Sequence, residues 1–70
     1  MITKTQQATE ARVLAVESKQ MVRRIYDYMR NLYGKDHPAV VAINSRYTEA
    51  VRLASEMTRH EIAVHAMSQD

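Results

Sequence analysis

The stretch YGKDHPAV, residues 33–40, holds the only glycine and the only proline of the chain, and it sits almost at the midpoint of 70 residues. Everything on either side is compatible with helix, so the fold is decided by what this one interruption does. The local chemistry favours two long helices with a tight reversal between them. Thr3 with Gln6 has the spacing of a capping box, and Gly34 can take the left-handed conformation that closes a helix. Asp36 or His37 can cap the next helix, with Pro38 in its first turn. The reading is one domain over residues 1–70, with helix one about 4–33, a turn at 34–36 and helix two about 37–67. A connection this short makes the helices antiparallel neighbours. The predicted fold class is all-α, an antiparallel helical hairpin.

Heptad letters written from Ala11 as position a give an a and d series of Ala11, Leu14, Ser18, Met21, Ile25, Tyr28 and Leu32, apolar apart from Ser18. The e column, Ala8, Ala15, Val22 and Met29, widens it into the stripe of a core-facing helix. Helix two repeats the rhythm with Val40, Ile43, Tyr47, Ala50, Ala54, Met57, Glu61 and Val64. Folding about the turn pairs Leu32 with Val40, Tyr28 with Ile43, Ile25 with Tyr47, Met21 with Ala50, Ser18 with Ala54 and Leu14 with Met57. A lone hairpin leaves half of each wide stripe in water. The expectation is therefore a homodimer, a four-helix bundle in which a second copy buries the e column with Val51 and Leu53. The dimer and core set reads Leu14, Ser18, Met21, Val22, Ile25, Tyr28, Met29, Leu32, Val40, Ile43, Ala50, Val51, Leu53, Ala54, Met57 and Val64.

Composition removes several functions. With no cysteine there is no disulfide, no thiolate metal site and no cysteine nucleophile. No apolar run reaches the roughly 18 residues of a membrane span, and the start has no basic region followed by a long apolar stretch. These features predict a soluble, unprocessed protein of a reducing cytoplasm, with no membrane partner. Ten Lys and Arg against eight Asp and Glu leave a net charge of +2. Acidic residues alternate with basic ones at helical spacing, as in Asp27 with Arg23 and Arg30 or Glu56 with Arg52 and Arg59, which reads as a solvated face rather than a phosphate-binding stripe.

HEIAVH, residues 60–65, invites comparison with the HExxH zinc motif. Its histidines are i and i+5, about 140° apart around a helix, so they cannot share one metal. His60 reads as a core-edge side chain and His65 as a solvated one. No glycine-rich phosphate loop exists with one glycine, no nucleophile stands in a recognisable setting, and a small bundle offers no substrate-sized pocket. The expectation is a protein with no catalytic residue, no metal and no cofactor.

All four aromatic residues are tyrosines, at 26, 28, 33 and 47, in the half of the hairpin near the turn. Tyr28 and Tyr47 fall on the core stripe. Tyr26 and Tyr33 fall off it, in line with Arg23 and Arg30, and Arg46 borders the seam from helix two. Tyr and Arg dominate binding energy at protein interfaces. The candidate partner-binding site is therefore Arg23, Tyr26, Arg30, Tyr33, Arg46 and Tyr47, with completion of the dimer by the tyrosines as the other use of the same strip.

Residues 33–56, YGKDHPAVVAINSRYTEAVRLASE, resemble tetratricopeptide repeats of the kinesin-light-chain type, which contain GxDHPxVA and a later RYxEA. The spacing between those segments is too short for that repeat's first helix and turn, and one unit cannot form a solenoid. Over its length, from TQQATEARVLAVESKQ to RYTEAVRLASEM, the chain is similar to small early proteins of temperate bacteriophages. Among these it looks most like the quorum-sensing anti-activators of Mu-like Pseudomonas phages. That resemblance implies a dimeric, non-enzymatic inhibitor in the bacterial host cytoplasm. It would bind a LuxR-type transcription activator, block its engagement with DNA, and also bind the type IV pilus assembly ATPase. The rival expectations are a Rop-like RNA-binding four-helix bundle and a structural assembly subunit.

Overall fold

A computed structural model describes residues 2–67. It contains two helices, α1 (Lys4–Tyr33) and α2 (Pro38–Met67), and no strand among the described residues. Each has 30 residues, so each runs about 45 Å at 1.5 Å per residue. They lie side by side as a helical hairpin whose Cα atoms fill 52 × 19 × 12 Å.

The helix ends follow from local chemistry. Thr3 caps α1: its hydroxyl accepts the Gln6 N–H at 3.2 Å, and the Gln6 side chain accepts the Thr3 N–H at 2.9 Å. This is the reciprocal capping box that the Thr3 and Gln6 spacing implies. At the other end the Gly34 N–H donates to the Arg30 carbonyl at 2.8 Å. Gly34 has φ 87° and ψ 160°, positive φ as expected but with an extended ψ in place of the left-handed helical one. That region of the backbone map is essentially reserved for glycine. The chain leaves α1 extended and turns within three residues.

His37 caps α2. Its carbonyl accepts from the Val40 and Val41 N–H groups at 2.9 and 3.0 Å, and its Nδ1 accepts the Ala39 N–H at 3.1 Å. The ring also stacks on Tyr33 with centroids 4.6 Å apart. One imidazole thus ties the last residue of α1 to the first turn of α2. α2 begins at Pro38, one residue after the start read from sequence, because His37 serves as the cap.

The seam corrects the sequence reading on α1 and matches it on α2. On α2 the half-buried and buried positions include Val40, Ile43, Tyr47, Ala50, Ala54, Met57, Glu61 and Val64, the column picked from sequence. On α1, however, Leu14, Met21, Ile25, Tyr28 and Leu32 are each between 44% and 68% exposed, and Ser18 is exposed with them. What faces α2 is the e column, Ala8, Ala15, Val22 and Met29, with the neighbouring column of Thr5, Arg12, Lys19 and Tyr26. The helix is turned by about 100°, one residue's step, from the expected orientation. The pairings of Leu32 with Val40 through Leu14 with Met57 are therefore not the hairpin seam. The register itself is as expected, since Arg23 meets Tyr47 and Arg12 meets Glu61 across the seam.

Small residues explain the rotation. Among the described residues four are buried: Ala8, Ala15 and Ala54, and Val40, 1% exposed beside the turn. Alanines let the two backbones approach, and the larger a and d side chains would hold them apart. The consequence is a hairpin with almost no core.

Candidate functional site

The two flat sides of the slab differ in chemistry. At the open end, Ala8, Ala11, Met57, His60 and Val64 line a groove on one side. Thr5, Thr9, Val13 and His65 line a groove on the other. Ala11 lies about 200° around α1 from Thr9, which places the grooves on opposite faces. Seven-residue steps from Ala11 lead to Ser18, Ile25 and Leu32, with Leu14, Met21 and Tyr28 alongside. On α2, steps back from His60 lead to Leu53, Arg46 and Ala39. This is the apolar face. Steps from Thr9 lead to Val16, Arg23 and Arg30. This face is apolar around Val13, Val16 and Val51 and becomes polar toward the turn at Arg23 and Arg30, from which it takes the label polar face.

The sequence-read site divides between these faces. Arg23 reaches over the seam on the polar face: its Nη1 donates to the Tyr47 hydroxyl at 3.4 Å, and its guanidinium carbon is 5.8 Å from the Tyr47 ring centre. Its Nε lies 3.5 Å from Asp27 Oδ2 one helical turn on. The Tyr47 hydroxyl, then the Asp27 charge, raise the Arg23 pKa above its already high ordinary value. Arg30 lies on the same face and is exposed. Tyr26 is half-buried toward the seam, not outward as its position off the expected stripe implied, because the true seam includes its column. Tyr28, expected in the core, is 68% exposed on the apolar face. Tyr33 is 50% exposed and held against His37. Arg46 is exposed on the apolar face, so the structure does not bring it to Arg23. Val51 and Leu53, grouped in the expected dimer contact, are about 200° apart on α2; only Leu53 belongs with the apolar stripe of α1.

Several polar residues were not singled out from sequence. Lys19, Gln20 and Arg24 join the expected Arg23 and Tyr47 in lining a shallow depression on the polar side of α1. Nearer the open end, Arg12 Nε lies 2.9 Å from Glu61 Oε1. The Arg12 Nε–H is not aligned for a hydrogen bond to it. Thr9 Oγ1 is 3.3 Å from His65 Nε2. The Glu61 carboxyl is held below the usual carboxylate range, first by a hydrogen bond from Thr9 and then by Arg12. A carboxylate only accepts, so toward Glu61 the Thr9 hydroxyl is the donor, and the direction of its contact with His65 follows the imidazole tautomer. His65, expected to be solvated, is exposed yet tied into this cluster. The signal that would have found it was the register itself, which sets Arg12 level with Glu61 at opposite ends of the chain.

Among the described residues no group of three or more His, Asp or Glu is placed to hold a metal, and no helix is long and apolar enough to cross a membrane. The chain matches no family model, no curated protein and no solved structure.

Proposed function

We propose that this protein is a non-enzymatic protein-binding regulator that acts as a homodimeric four-helix bundle and inhibits by covering a surface of a host protein. One observation carries the reading: among the described residues the hairpin buries three alanines and one valine, while Leu14, Met21, Ile25, Tyr28, Leu32 and Leu53 gather on one exposed face. Contiguous apolar surface of this kind marks a protein contact. The other face presents guanidinium and phenol groups, the side chains that most often anchor protein interfaces. In this reading Arg23, Arg30 and Tyr47, with Tyr26 and Tyr33 at the seam edge, meet the partner, and Arg46 borders the dimer. The resemblance to phage anti-activators supplies the partner class: a LuxR-type activator kept from DNA in the bacterial cytoplasm, with the pilus assembly ATPase as a second target.

The test is a DNA mobility-shift titration of a purified LuxR-type activator with this protein. Loss of the activator–DNA band at stoichiometric amounts is expected, and Arg23→Ala with Arg30→Ala weakens it while helicity by circular dichroism is kept. An activator that stays on DNA at excess protein refutes the partner class. A second reading is favoured by the gathering of Lys19, Arg23 and Arg24 around one depression, which suits RNA phosphates. It predicts RNA binding that weakens log-linearly and steeply with salt.

A further inference from the structure

Resting on the dimeric reading above, we infer that the second copy docks face to face with α1 stacked on α1, the α1 stripe supplying most of the contact and Leu53 and Arg46 of α2 its margin. The two α1 helices lie antiparallel, with the two-fold axis at about the level of Arg23. Leu14 then meets Leu32 of the second copy, Ser18 meets Tyr28, and Met21 meets Ile25.

The amount of apolar surface fits a second copy. Leu14, Met21, Ile25, Tyr28, Leu32 and Leu53 are each roughly half exposed, which at about 200 Å² per large side chain is on the order of 600 Å². A stable interface takes about 800 Å² from each partner, and the flanking Ala11, Ser18 and Arg46 supply the remainder. A monomer's largest apolar patch seldom exceeds about 600 Å², and here it accompanies a nearly empty core.

The choice of helix follows from what α2 shows on this face. Its outward column reads Ala39, Arg46, Leu53, His60 and Met67, with small Ala39 and charged Arg46 level with the large residues of the α1 stripe nearest the turn. Stacking α1 on α2 of the second copy would set Ile25 near Arg46. Stacking α1 on α1 sets apolar residues against apolar residues and makes the interface self-complementary, as a two-fold requires.

Pattern fixes the register. In an antiparallel helix pair each a residue faces a d residue. The register centred near Arg23 gives every residue from Leu14 to Leu32 on the stripe a partner on the stripe. Sliding one heptad one way sets Leu32 against Gln7; sliding the other way sets Ser18 against Lys35 in the turn. The centred register also places Ser18, the smallest stripe residue between Leu14 and Leu32, opposite the bulkiest, Tyr28, as interlocking layers need. Both polar faces, each with its Arg23 and Tyr47, are left pointing away from the bundle.

The chain has no cysteine, so single-cysteine variants cross-link only where they are placed. Leu14→Cys and Leu32→Cys, made separately, mixed and oxidised, are expected to give a disulfide-linked heterodimer. The two positions are about 27 Å apart along one helix, so no disulfide forms within a chain. Ser18→Cys mixed with Tyr28→Cys repeats the test one layer inward in case the leucine variants do not fold. A dimer by sedimentation in which neither mixture cross-links, or in which Leu14→Cys links to Met57→Cys, overturns this arrangement while dimerisation stands. A folded wild-type monomer of 8.1 kDa overturns both.

Discussion

Arg12 and Glu61, one near each end of the chain, meet at 2.9 Å and hold the open end of the hairpin together. The turn fixes the helices at one end, and at the other only side chains such as these oppose fraying. Thr9 joins them through Glu61 and His65.

Glu61 therefore makes stability depend on acid. Its folded-state pKa is lowered, so its contribution is present above the unfolded value of about 4.3 and is lost as pH falls through the lower folded value. Thermal melts taken from pH 6 down to pH 2 should show this loss in the wild type. Glu61→Gln should start less stable at pH 6 and show a shallower decline. An unchanged acid slope in the variant would remove Glu61 from this role.

Gly34→Ala should destabilise the protein by about 1–3 kcal/mol. No atom lies within 4 Å of where the new Cβ would sit, so the cost comes from φ 87° alone. Urea unfolding measures it. A variant as stable as the wild type would mean that the turn readily relaxes to negative φ.

His37→Ala should cost about 1 kcal/mol, the usual effect of losing a helix cap, together with the stack on Tyr33. His37→Asp restores an acceptor for the first turn and should recover most of the cap. If both substitutions cost the same, the stack and not the cap is the stabilising contact.

Ala54→Leu should destabilise by about 1–3 kcal/mol through overpacking of the seam, since Ala54 is buried where the backbones approach. The exposed position Glu49→Leu on the same helix should leave the hairpin's unfolding midpoint nearly unchanged. Equal effects at the two sites would mean that the seam is looser than its buried alanines imply.

Much of the fold was legible in the sequence because its causes are local. Thr3 with Gln6, Gly34 and Pro38 set the helix ends within a few residues of themselves, and the short turn set the antiparallel register. The buried column of α2 was legible too, because α2 carries only one continuous apolar column. α1 carries two adjacent ones, the a and d stripe and the e column. Periodicity scores both as buried, since hydrophobic burial has no preferred direction. Only the tertiary structure decided between them: close approach at Ala54 selected Ala8 and Ala15 for the seam and turned Leu14, Met21 and Leu32 outward. The candidate site shifted for the same reason. Once α1 rotates by about 100°, Tyr26 moves to the seam edge, Tyr28 moves into the open, and Arg23 comes over Tyr47 while Arg46 stays on the opposite face.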